Sequence, residues 1–101
     1  MSGVDRWAGA DARLFVPESG RAFVVFRGLQ AAPAGQSYAI WLVDAEGRWI
    51  RGTSFNTDGG TTLVDVGVPV KGFDRCAVTL ESGTEGKRSG PMVMQSRFYR
   101  P

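Results

Sequence analysis

The stretch SYAIWLVDA (37–45) is apolar on both faces of a strand, with Tyr38, Ile40 and Leu42 alternating with Ala39, Trp41 and Val43. Successive side chains of a strand point to opposite sides of the sheet. A strand that is apolar on both sides needs cover on both, so it belongs at the centre of a sheet. RAFVVFRGL (21–29) has the same character, with five consecutive apolar residues from Ala22 to Phe26. It is likewise expected to be a central strand with both faces covered.

The rest of the chain repeats this rhythm of short apolar runs and sharp breaks. ARLFV (12–16) reads as a first strand, stopped by Pro17 and an ESG turn. After the loop QAAPAGQ (30–36) and the strand at 37–45, DAEG turns the chain back, with Gly47 able to take positive φ. RWIRGTSF (48–55) is the return strand, NTDGG (56–60) the next break, and TTLVDV (61–66) resumes β-branched alternation. A loop near Pro69 and Gly72 leads to RCAVTLES (75–82), then the polar turn GTEGKRSG (83–90) and the last strand PMVMQSRFY (91–99). No sustained 3.6-residue pattern asks for a helix. Most of the fourteen glycines fall in the breaks between the runs, as short strands joined by turns require. The expected fold is all-β: one antiparallel β-sandwich, immunoglobulin-like, of about seven strands over residues 1–101, with 1–11 and 97–101 as terminal extensions. A chain of 101 residues buries roughly two-thirds of the surface its unfolded form exposes, enough to fold without staples.

Charge narrows the function. Twelve Lys and Arg against ten Asp and Glu leave a net +2. Arg6, Arg13, Arg21 and Arg27 are spread among acids, and Lys87-Arg88 is the one adjacent basic pair. A basic stripe for nucleic acid is therefore not expected. No run reaches the roughly 18 apolar residues of a membrane span, and MSGVDRWAGAD lacks the apolar core of a signal peptide. As written, the chain is expected to be soluble.

The residues for catalysis are mostly missing. With no histidine, the commonest general base, the commonest metal ligand and the usual nucleophile triads go together. Cys76 is alone, and its strand sets it on one side with Val78 and Leu80, so it reads as a buried small hydrophobe and not a reactive thiol. Asp44 and Glu46 share a turn but offer too few oxygens for calcium, and they read as a solvated hairpin tip. Asp58 and Asp65 lie in or beside turns, where aspartate bonds local backbone. GTEG and NTDGG lack the lysine and hydroxyl of a phosphate loop. No catalytic, metal or cofactor-binding residue is assigned, no cofactor is implied, and an enzyme is not expected.

Aromatics remain. Trp41 lies in the doubly apolar strand and reads as core. Simple alternation sets Trp49 on one face with Arg51, Thr53 and Phe55, a face only half apolar, where a guanidinium can lie over the ring. The candidate ligand or partner surface is therefore Trp49 with Arg48 and Arg51, suited to a cell-envelope glycan or peptide. Trp7 and the Phe98-Tyr99 pair sit near the termini and are expected to clamp the ends.

GLQAAPAGQSYAIWLVD resembles the Gly-Leu, Pro-Ala-Gly, Tyr-x-x-Trp-Leu segment of the extracytoplasmic C-terminal domain of RskA-type anti-sigma-K factors. GTSF, AVTLE and SGPMVM follow in the family's order, so the resemblance covers about residues 12–96. In that family a cytosolic domain sequesters a sigma factor, a membrane helix follows, and a β-sandwich lies outside; regulated proteolysis frees the sigma factor. The resemblance implies a non-catalytic sensory domain on the extracytoplasmic side of a bacterial membrane. Its partner would be the parent protein's membrane stalk or an envelope protein, with no nucleic acid and no direct sigma-factor contact. The zinc-associated anti-sigma signature needs a histidine, which this chain lacks. The resemblance is thus to the outer domain alone, whether a fragment or free-standing. SGTEGKRSG stands where the family often has a proline and paired glycines, and QSRFYRP runs past its usual end. Two rival readings stay open: the glycan- or peptide-binding module centred on Trp49, and an assembly domain that dimerises by edge-strand pairing.

Overall fold

The computed structural model describes residues 7, 9–18, 21–68, 70, 72–82 and 90–97. Lys87-Arg88, Phe98-Tyr99, Pro69, most of the polar turn at 83–90 and the outermost terminal residues lie outside them. The strands are β1 (Asp11–Phe15), β2 (Phe23–Arg27), β3 (Ser37–Asp44), β4 (Trp49–Phe55), β5 (Thr61–Asp65), β6 (Phe73–Glu81) and β7 (Met92–Arg97). Each falls close to the segment that alternation and turn residues predict.

All pairings are antiparallel, in one sheet of order β1-β2-β5 and one of order β4-β3-β6-β7. The two sheets pack as a sandwich. In a constant-type immunoglobulin domain the fourth strand joins strands one, two and five, whereas here β4 pairs with β3. The architecture is therefore a seven-stranded antiparallel sandwich, three strands against four, whose order differs from the constant type in the place of β4 alone.

The core lies between the inner faces. It holds Ala12, Val24, Phe26 and Val64 from one sheet, with Tyr38, Ile40, Leu42, Cys76, Val78, Leu80, Val93 and Met94 from the other. Phe55 stacks between Phe26 and Tyr38, with ring centroids 4.7 and 5.6 Å away. The Tyr38 hydroxyl donates to the Gln30 carbonyl at 2.6 Å, so the phenol buries its ring and still satisfies its polar end. Trp7 and Ala10 are also in this core, and Ala10 N–H donates to Trp7 O at 2.9 Å. The chain is thus anchored before its first strand begins.

The β3–β4 hairpin follows from its turn residues. Gly47 adopts φ 82°, and its N–H donates to the Asp44 carbonyl at 3.0 Å. Asp44 Oδ1 accepts the N–H groups of Glu46 and Arg48, each at 2.9 Å. Asp58 and Asp65 cap local backbone in the same manner, accepting from Gly60 at 3.0 Å and Gly67 at 2.7 Å.

Two features depart from the alternation. The first is β2, central in its sheet but covered on one face. Val24 and Phe26 are buried while Phe23 and Val25 are half-buried on the outside. The second is a bulge in β4. Trp41 pairs with Arg51 and Ala39 with Ser54, so β4 spends three residues where β3 spends two. At the bulge the two sheets meet at the sandwich edge, where Thr53 N–H donates to the Val66 carbonyl at 3.0 Å. A Cβ on Gly52 would lie 2.5 Å from that same oxygen and 3.2 Å from the Ile40 carbonyl. Glycine lets the two sheets close here.

Candidate functional site

The bulge reorganises the aromatic surface. An extra residue in a strand moves every later side chain to the other face. Phe55 therefore faces the main core, while Trp49 packs on the outer face of the β4-β3-β6-β7 sheet with Trp41, Ala39, Ala77 and Met92. The expected single face of Trp49, Arg51, Thr53 and Phe55 is corrected: Trp49 and Arg51 share a face, and Phe55 lies opposite them.

Trp41 is buried, but outside the sandwich core. Ala77 pairs directly with it across β6, and that small side chain leaves room for the indole to lie over the sheet. Trp49 meets it edge-on, with centroids 6.2 Å apart and planes at 66°. The Arg51 guanidinium sits 5.4 Å from the Trp41 ring centroid and donates to Ser54 Oγ at 2.9 Å. Such a cation over a ring is worth about 0.5–1 kcal/mol where water still reaches it.

A buried polar chain runs beneath these rings. Trp41 Nε1–H donates to Thr79 Oγ1 at 2.8 Å, and the Thr79 hydroxyl donates to Glu81 Oε2 at 2.5 Å. Both Glu81 carboxyl oxygens accept the Gly90 N–H, at 3.0 and 3.1 Å. Thr79 and Glu81 are fully buried. A Cβ on Gly90 would overlap the Leu80 carbonyl oxygen, so glycine brings that N–H within reach. The alternation did not single out Thr79 and Glu81. Their signal was available: two polar residues at i and i+2 on the face opposite Cys76, Val78 and Leu80.

Of the three candidate residues, the fold brings Trp49 and Arg51 together and sets Arg48 apart. Arg48 closes the hairpin tip, with Nε 2.7 Å from Asp44 Oδ2 and Nη2 3.1 Å from Glu46 Oε2. Donation from the Arg48 backbone N–H, with further bonds from its side chain and from Glu46 N–H, outweighs burial and holds the Asp44 carboxyl below its ordinary value. Trp49 is half-buried against Trp41, and Trp41 is 1% exposed. The pair is thus arranged to hold the outer face together, and a flat ligand could reach only the uncovered part of Trp49.

The Cys76 thiol lies in the core, and burial pushes its pKa up to about 12, which keeps it protonated and unreactive at neutral pH. Among the described residues, no group of three or more Cys, Asp or Glu side chains is placed to hold a metal ion. No helix among them is long and apolar enough to cross a membrane.

The family model described as anti-sigma-K factor rskA, C-terminal, matches residues 7–92. That span runs from the buried Trp7 to the first residue of β7. No curated protein and no solved structure matches the chain.

Proposed function

The chain belongs to the family of anti-sigma-K factor RskA C-terminal domains, and on that basis we propose that it is the non-catalytic sensory domain of a membrane anti-sigma factor. In this reading it lies on the extracytoplasmic side of a bacterial membrane. There it governs the regulated proteolysis that releases the sigma factor, without touching the sigma factor itself. Its partners are the parent protein's membrane stalk or an envelope protein.

The observation that carries the reading is the match over residues 7–92, which takes in nearly the whole sandwich. The burial of Trp7 gives it a mechanism. A protease needs several residues of extended, unpaired backbone, and chain tethered to a folded core supplies them only when it opens locally. Trp7 is 8% exposed in the core, so the backbone entering the domain is held as long as the indole is seated. A signal that unseats Trp7, or opens an edge strand, would lengthen the cleavable segment.

The test is to join the domain to a membrane stalk and follow stalk cleavage in cells. Removing the domain should raise the rate, and Trp7→Ala should raise it part of the way while the isolated variant remains folded. Equal cleavage with and without the domain would end the proposal.

A further inference from the structure

The outer face of the β1-β2-β5 sheet carries apolar surface that the domain itself does not cover. Its central row is Arg13, Val25 and Leu63, flanked by Phe15, Phe23 and Asp65 on one side and Asp11, Arg27 and Thr61 on the other. Phe15 and Phe23 stack with centroids 5.1 Å apart and planes at 13°. Phe15 is 43% exposed and Leu63 64%, and Val16, just beyond β1, is 50% exposed. Most of the exposed large hydrophobic side chains among the described residues therefore gather here, with Ile50 on the other sheet.

Charge is placed with equal order. Arg13 and Arg27 stand diagonally across β1 and β2, because Arg13 pairs with Val25 and Arg27 with Asp11. Among the described residues neither arginine is in an ion pair, although Asp11 is directly opposite Arg27. A groove of about 140 Å³ lies between them, lined by Asp11, Arg13, Phe15, Val25 and Arg27. A cavity of about 150 Å³ takes one benzene-sized group, whereas drug-sized ligands fill roughly 300–1,000 Å³. The groove thus fits one side chain of a longer chain. Two guanidiniums against one carboxylate leave it complementary to an acid.

We infer that this face docks an extended segment of a partner polypeptide whose face-directed side chains, at every second residue, are carboxylates and apolar groups in turn. Arg13 and Arg27 take the carboxylates, and Phe15, Phe23 and Leu63 take the apolar groups. Size argues against a second copy of this chain as the occupant. Phe15, Val16 and Leu63 expose roughly 300 Å² of apolar surface at the full areas usual for such side chains, against about 450 Å² of apolar surface per partner in a stable interface. A strip of that width suits a single strand. The inference does not depend on any role in proteolysis, because its test reads binding alone.

The 101-residue chain, labelled with ¹⁵N, is titrated with eight-residue peptides that carry glutamate and phenylalanine in turn at every second position with serine between, and with their glutamine counterparts. The expected result is amide shifts confined to β1, β2 and β5, tighter binding of the glutamate peptides, and weakening as salt rises. The double variant Arg13→Gln/Arg27→Gln should lose about tenfold in affinity, the sum of two exposed ion pairs. Leu63→Ser should also weaken binding, and Ile50→Ser, an exposed apolar side chain on the other sheet, should leave it unchanged. All these positions are on the surface, and the variants' amide spectra report whether they fold. No binding, equal binding of the glutamine peptides, shifts centred on β4 or β7, or self-association through this face without peptide would each overturn the inference.

Discussion

Replacing Gly52 by alanine tests what turns Trp49 and Phe55 to opposite faces. The new Cβ would start 2.5 Å from the Val66 carbonyl oxygen, and ordinary contact begins near 3.4 Å, so the edges must part by about 0.9 Å. Both neighbours are backbone atoms, Val66 O and Ile40 O, and no rotamer change relieves the contact. The hydrogen bond from Thr53 N–H to Val66 O, 3.0 Å long, would stretch to nearly 4 Å and be lost. Forced overpacking costs about 1–3 kcal/mol, and the lost hydrogen bond adds about 0.5–1.5 kcal/mol. The expected destabilisation is therefore about 2–4 kcal/mol, a large part of the roughly 5–15 kcal/mol that holds a domain folded. At 4–8 °C per kcal/mol for a domain near this size, Tm should fall by roughly 8–32 °C. Urea unfolding followed by tryptophan fluorescence measures it, with hydrogen exchange at the Thr53 amide as a local readout. Gly47→Ala is the control, since Gly47 has positive φ but no atom within 4 Å of its added Cβ. It should cost only the roughly 1 kcal/mol of a left-handed alanine. If Gly52→Ala is no less stable than Gly47→Ala and Thr53 stays protected, the edge contact does not set the bulge.

The remaining predictions concern buried polar groups and the hairpin. Thr79→Val leaves both the Trp41 indole N–H and a Glu81 oxygen without their shared partner. It should destabilise by about 2–4 kcal/mol and by more than Trp41→Phe, which orphans no donor; urea midpoints decide the order. The Cys76 thiol, raised by burial from 9.0 to about 12, is favoured neutral in the folded state. Its contribution is complete below pH 9 and lost between pH 9 and 12, at about 1.4 kcal/mol per unit. Cys76→Ala should therefore show a shallower alkaline loss of stability than the parent, and identical slopes would contradict the buried thiol. The Asp44 carboxyl is held low, first by the Arg48 N–H, so its contribution is present above its ordinary value of 3.8 and lost as pH falls through its lowered one. Asp44→Asn should flatten that acid limb, with Gly47 and Arg48 amide shifts in NMR reporting the tip.

Local chemistry made the strands legible. Seven apolar runs between turn residues predict the elements, and DAEG predicts the hairpin with Gly47 at positive φ, as observed. Alternation also predicts that Cys76, Val78 and Leu80 share a buried face. These are properties of a strand and its neighbouring turn, with period two and short reach. The resemblance to the anti-sigma domain was legible for the same reason, because it rests on ordered short motifs.

The candidate surface was less legible. Alternation separates the two sides of a strand without saying what covers either side. Gly52 inside a predicted strand is a recognised sign of a bulge, but its consequence depends on Val66, brought beside it from another sheet. Once that contact shifts the register, Phe55 turns inward while Trp49 and Arg51 gather over Trp41. In the same way, the apolar run of β2 announced two faces in need of cover, and only the packing of the sheets left Phe23 and Val25 half open. Where the chain extends and where it turns can be read from neighbouring residues, because those choices are local. Which faces meet follows only from packing, because contacts between residues distant in the chain set the register on which every facing depends.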